Sequence, residues 1–162
     1  KFCNILNFME NFTKKRMKMA INQAEKSLKF NDVPIGCVIF DSNNKCIGKG
    51  YNSCIKNNDP SAHAEVLAIK NACKKKNSLV LEKSSLYVTL EPCQMCETLI
   101  KATRIKNVFF GAYNIKYRRN RNLYPNKNFF FSESKYCFYG GFEEELCAKI
   151  LKDFFIRLRK IT

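Results

Sequence analysis

The chain has 162 residues, the size of one domain on the usual scale of roughly 100 to 200 residues each. Hydrophobic residues make up 46% of it and no apolar run approaches the roughly 20 residues that span a bilayer, so no transmembrane helix or membrane partner is expected. The net charge of +15 sets up a positive field that favours polyanions, nucleic acid above all, although a Lys- and Asn-rich background composition would give the same charge without selection for binding.

At the N-terminus, Asn4 and Asn7 interrupt the apolar residues and no small-residue cleavage site follows, so residues 1–10 read as a loose leader rather than a secretion signal. The single domain is expected over residues 11–162. Nine cysteines, an odd number in a chain of this size, fit a reducing cytoplasm better than a disulfide scaffold. Cys37, Cys46, Cys73 and Cys147 lie among apolar residues and read as core.

Met17, Ala20, Ile21, Ala24 and Leu28 recur at helical spacing, which predicts an amphipathic helix over residues 11–29, broken by Asn31-Asp-Val-Pro34. Two strand-like runs, 35–40 and 46–51, flank the turn-rich Asp41–Lys45 and predict an antiparallel hairpin. A polar loop follows. Asp59-Pro-Ser61 carries helix-start chemistry for a second helix over 62–76, and Ser85–Leu90 reads as a strand. A third helix is expected over 93–102, with Pro92 near its first position, where a missing amide proton does no harm. Residues 106–111 form another strand-like run. Between Ala112 and Ser134 the pattern dissolves into a basic, aromatic, Asn-rich stretch, after which a short strand over 135–139 and a helix over 143–160 close the chain. That helix has apolar positions Leu146, Ile150, Leu151, Phe154, Phe155 and Leu158, acids at its start and bases at its end, which complement its dipole. Helices alternating with strands after a hairpin predict an α/β fold: a three-layer α/β/α sandwich around a mixed five-stranded sheet.

Two motifs fall where such sheets carry sites, after strands and at helix starts. His63-Ala-Glu65 opens the second helix and Pro92-Cys-Gln-Met-Cys96 the third. Zinc takes tetrahedral nitrogen and thiolate ligands, and a catalytic zinc uses three protein ligands with a fourth position open to water. His63, Cys93 and Cys96 supply three, and the positive helix end favours the thiolates. Bound zinc lowers the pKa of water towards about 7, and Glu65, two residues from a ligand, is placed to carry protons. The chain has one histidine, which excludes zinc sites built on two or three. A redox role for the Cys-x-x-Cys pair is disfavoured by the lack of tryptophan and of proline between the cysteines. Together the two motifs resemble the signature of zinc-dependent deaminases.

The segments Asp32–Gly36, Asp59–Glu65, Leu86–Cys96, Val108–Ala112 and Leu151–Phe155 with its basic tail resemble the bacterial tRNA-specific adenosine deaminases of the cytidine-deaminase-like superfamily. The resemblance covers residues 12–160 and is weakest between Tyr113 and Ser134. It implies a hydrolase acting on the C–N bond of a cyclic amidine: adenosine at the wobble position of a tRNA anticodon becomes inosine, with one Zn2+ per subunit, in a homodimer. Water would attack C6 of the adenine while Glu65 delivers protons to N1 and the leaving amine. Asn52 and the backbone amide of Ala64 would orient the base. Phe155, Arg157 and Arg159, with Phe154, resemble the family's terminal RNA-contacting segment, and splayed nucleotides of the anticodon stem-loop would be held by aromatic and basic side chains.

Asn114 stands where the family usually has an acidic residue, which alters that position's contacts to RNA, and Lys116–Arg121 and Phe129–Phe131 replace the usual small-residue run. Two other functions fit parts of the sequence. Deamination of a free base or nucleotide (guanine, cytosine or deoxycytidylate) would use the same zinc motifs but has no use for the charge or the basic last helix. A non-catalytic RNA-binding subunit with a structural zinc would need no proton carrier at Glu65.

Overall fold

The computed structural model describes residues 2–114, 130–133 and 136–161. Helix α1 (Phe2–Ser27) ends in a 3-10 turn (Leu28–Phe30) and is followed by strands β1 (Gly36–Phe40) and β2 (Cys46–Tyr51). Then come α2 (Cys54–Asn57), α3 (Ala64–Lys76), β3 (Ser85–Leu90), α4 (Gln94–Ala102) and β4 (Asn107–Ala112). Strands β5 (Phe130–Glu133) and β6 (Tyr136–Tyr139) and helix α5 (Glu144–Ile161) complete the order.

The strands form one mixed sheet in the order β2-β1-β3-β4-β6-β5. β1 runs antiparallel to both β2 and β3, whereas β3, β4 and β6 are parallel and β5 is an antiparallel edge. The sandwich is the expected one, with a sixth strand beside the five expected. That strand, β5, falls in the stretch where no alternation was legible.

Alternation on the strands sorts the core into two layers. Cys37, Ile39, Leu86, Val88, Val108 and Phe110 pack with Ala64, Ala68, Ile69, Ala72 and Ile100 of α3 and α4. Val38, Phe40 and Tyr87 face the other way, against Met17, Ala20 and Ile21 of α1 and Cys147 of α5. Every residue of β1 is buried, as a central strand requires. Each fully buried Ile or Leu here contributes roughly 1.5–3 kcal/mol.

Several local expectations are corrected. Helix α1 begins at Phe2, ahead of the start expected at residue 11. Helix α3 starts at Ala64, with His63 as its N-cap; Asp59 and Ser61 instead close a turn ahead of it, the Asp59 carboxylate accepting from the Ser61 amide at 2.8 Å and hydroxyl at 2.7 Å. Pro92 lies outside α4, whose N-cap is Cys93. On α5 the buried side is Cys147 and Phe154, with Ile150 and Leu151 packed beside them, whereas Leu146, Phe155 and Leu158 are exposed. Helical spacing alone could not choose among these positions; the sheet at β3 and β4, on which α5 packs, does so. Of the four cysteines read as core, Cys37 and Cys147 are buried and Cys46 and Cys73 are half-buried; these four, with Cys54, Cys93, Cys96 and Cys137, are free thiols.

Asparagine ends three of the helical segments in a chain with only six glycines. Asn31, Asn58 and Asn77 take left-handed φ values of 53°, 49° and 48° after the 3-10 turn, α2 and α3, a conformation asparagine tolerates better than other side chains. Among the described residues, no helix is long and apolar enough to cross a membrane.

Candidate metal centre

Because β2 and β3 both run antiparallel to the β1 strand between them, their carboxyl ends lie at the same edge of the sheet. Asn52 follows β2 directly, and Glu91-Pro92-Cys93 follows β3. The second approach comes from α3, which is laid on β2 at backbone contact. A Cβ at Gly50 would stand 2.2 Å from the Ala64 carbonyl oxygen and one at Gly48 2.3 Å from that of Ala68. Only glycine on the strand against alanine on the helix permits that approach, and it sets where the start of α3 falls.

The loop joining β2 to α3 is pinned by a buried carboxylate. Asp32 accepts the amide N–H groups of Ile55 at 2.8 Å and Lys56 at 3.0 Å, holding α2 against the segment that follows α1. Ser53 donates its amide to the Ala62 carbonyl at 3.0 Å, which closes the loop at its base.

His63 and Cys93 are both helix N-caps with extended backbone, so their side chains stand at two helix mouths that face each other. The His63 ring turns Nδ1 to both sulfurs, 3.7 Å from Cys93 Sγ and 3.4 Å from Cys96 Sγ. All three donor atoms lie within 4.8 Å of one another. A tetrahedral zinc with bonds of about 2.3 Å to sulfur and 2.0–2.1 Å to nitrogen would hold nitrogen and sulfur ligands about 3.6 Å apart. The donor set fits the ion, and the cluster is positioned to chelate it.

Burial governs the protonation of the site. Burial pushes the Glu65 carboxyl up from its ordinary 4.5 to about 7, against its own backbone amide and the Cys96 thiol, which donate to it and pull it down. Cys96 is driven far above the usual thiol range, by burial first and then by Glu65 and Cys93. Burial lowers His63, which favours the neutral ring a metal requires. Cys37, from β1, is also held as a thiol by burial and by the charge of Glu65.

Asn52 is buried; its amide donates to the Ile35 carbonyl at 2.9 Å and its carboxamide oxygen accepts the Cys54 thiol at 3.7 Å. Ala64, the first residue of α3, carries one of the N–H groups that no helix can satisfy internally. Asn114 reaches the rim, where its backbone amide donates to Glu91 Oε2 at 2.9 Å. Phe155, Arg157 and Arg159 are not gathered here. They are exposed on α5, in the helix layer across the sheet from α3 and α4. Lys116–Arg121 and Phe129 lie outside the described residues. Sequence reasoning missed α2 and the Asp32 clamp, for which the one available signal was an acid directly before Val33-Pro34 at the helix break.

The family described as the cytidine and deoxycytidylate deaminase zinc-binding region matches residues 10–112. A tRNA-specific adenosine deaminase of Rickettsia bellii is 38% identical over 149 residues, 88% of this chain and 99% of that protein. Among solved structures, one from a study of A-to-I editing by tRNA:A34 deaminases at the wobble position of transfer RNA is 30% identical, covers 85% of this chain and 99% of its own, and superposes with a TM-score of 0.71. A guanine deaminase from Bacillus subtilis is 37% identical with a TM-score of 0.58, over 61% of this chain and 63% of its own.

Proposed function

We infer, from the premise that the chain belongs to the cytidine and deoxycytidylate deaminase zinc-binding family and within it to the tRNA-specific adenosine deaminases, that it converts adenosine to inosine at the wobble position of a tRNA anticodon. One observation carries the reading: a His63, Cys93 and Cys96 donor set beside a buried carboxyl, on a chain that aligns along nearly the whole of a tRNA-specific adenosine deaminase.

His63 Nδ1 and the sulfurs of Cys93 and Cys96 would hold the metal. When bound, zinc supplies a Lewis acid that brings the pKa of water towards about 7. Glu65 takes a proton from the attacking water and returns protons to N1 of the adenine and to the departing amine. A C6–O bond forms, the C6–N bond breaks, one water is consumed and ammonia leaves. A buried carboxyl within reach of the reacting atoms can both accept and return a proton. Asn52 and the Ala64 amide orient the base, Asn52 being held in place by its bonds to Ile35 and Cys54.

Residues 11–162 act as one catalytic domain, in a cytoplasmic homodimer. Asn114 at the rim and Phe155, Arg157 and Arg159 on α5 contact the anticodon stem-loop, drawn in by the +15 charge. The similarity to a guanine deaminase favours a second reading, deamination of a free base. Inosine formation on an anticodon stem-loop, measured beside free adenosine, guanine and cytidine, separates the two. Turnover confined to the stem-loop and abolished by Glu65→Ala is expected; turnover of a free base alone would refute the RNA reading.

A further inference from the structure

At the edge of the sheet that carries the metal donors, a cation-aromatic cluster stands outside the machinery described so far. Lys56 of α2 donates from Nζ to the Tyr51 hydroxyl at 2.8 Å and lies 4.4 Å from the centre of the Phe30 ring and 5.2 Å from that of Tyr51. Phe30 is 39% exposed and the neighbouring Ile55 65% exposed, both high for large apolar side chains. Asp32, two residues after Phe30, accepts the Lys56 amide, so one carboxylate ties the turn after α1 to α2.

We propose that Phe30, Tyr51 and Lys56 form a subsite for the nucleotide next to the adenosine being deaminated, the rings stacking on its base and the Lys56 ammonium meeting its phosphate. The proposal rests on the RNA reading above. Its place in the chain is the first argument: Tyr51 directly precedes Asn52, and Lys56 lies on the loop between Asn52 and His63. The second is energetic. Bringing an adenosine out of its stack leaves a face of the neighbouring base bare, and the exposed Phe30 ring, which shares Lys56 with Tyr51 at the end of β2, the strand that leads into Asn52, can replace the lost stack. The third is charge: among the described residues the side-chain partners of Lys56 are a phenol and two rings, so its positive charge is not neutralised by a carboxylate and remains complementary to phosphate. Lys26 and Lys29, close in sequence to Phe30, add to the same field.

The test uses the zinc-loaded full chain and an anticodon stem-loop carrying 2-aminopurine at each position flanking the wobble adenosine in turn. Phe30→Ala should raise KM about ten-fold, as loss of one stacked base does, and abolish the fluorescence quenching at one flanking position, while leaving kcat within about two-fold. Phe30→Tyr should restore both. Lys56→Gln should reduce the salt dependence of stem-loop binding by about 0.7 in the slope of log K against log salt, one phosphate contact on a single strand. If the unaltered protein deaminates the stem-loop but these variants keep its KM, quenching and salt slope, the subsite is refuted and the RNA reading stands. If the unaltered protein neither binds nor converts the stem-loop, both fall together.

Discussion

Replacing Glu65 by glutamine should abolish deamination and, in the same molecule, stabilise the metal-free fold. The carboxyl is 4% exposed, and burial lifts it from its ordinary 4.5 to about 7. Between those values the folded chain keeps a proton that the unfolded chain has released, so stability falls as pH rises through the window. The loss reaches ~3 kcal/mol at pH 7 and is under ~1 kcal/mol at pH 5. Glutamine never ionises and escapes it, while its oxygen can still accept the Cys96 thiol. Urea unfolding of chelator-treated protein measures this directly: with an m-value of about 2 kcal/mol/M, the Glu65→Gln midpoint should lie about 1.5 M above that of the unaltered protein at pH 7 and nearly meet it at pH 5. A midpoint gain that is absent at pH 7, or equal at the two pH values, would refute the claim that a buried, ionising carboxyl is what strains the empty site.

The two adjacent phenylalanines of α5 should behave oppositely: Phe154→Ala, in the core, costs about 3–5 kcal/mol in denaturant unfolding, whereas Phe155→Ala, on the exposed side, leaves stability within about 0.5 kcal/mol and weakens stem-loop binding in a filter or fluorescence titration. Zinc uptake should release protons, because Cys96 is held as a thiol in the empty site, so calorimetric titrations in buffers of different ionisation enthalpy should give different apparent heats and zinc affinity should fall with acidification. Gly50→Ala places a Cβ against the Ala64 carbonyl and should cost about 1–3 kcal/mol in stability; since Ala64 lies between His63 and Glu65, zinc affinity should drop in parallel, read by competition with a chromogenic chelator.

Much of the site was legible because its chemistry is carried by residue types at short spacing. A single histidine, a Cys-x-x-Cys pair and a glutamate two residues from the histidine leave few alternatives once zinc's ligand preferences are applied. Strands β2 and β3 were readable to the residue because turn signals or helix starts bound them. The edge strand β5 and the helix α2 were not. A four-residue strand in a basic, Asn-rich stretch has no alternation of its own, and α2 is a single turn that exists because Asp32, distant in sequence, accepts its amides.

By itself, the sequence determined which side chains can hold a metal and move a proton, and where the longer helices and strands lie, because ligand chemistry and hydrophobic period are local properties. Tertiary structure alone decided that His63 Nδ1 meets Cys93 and Cys96, and that Glu65 is buried deeply enough to titrate near neutrality. It also decided which face of α5 is core. Those outcomes depend on how closely α3 can approach β2 over Gly48 and Gly50, and on desolvation by neighbours from separate strands, neither of which is a property of any short segment.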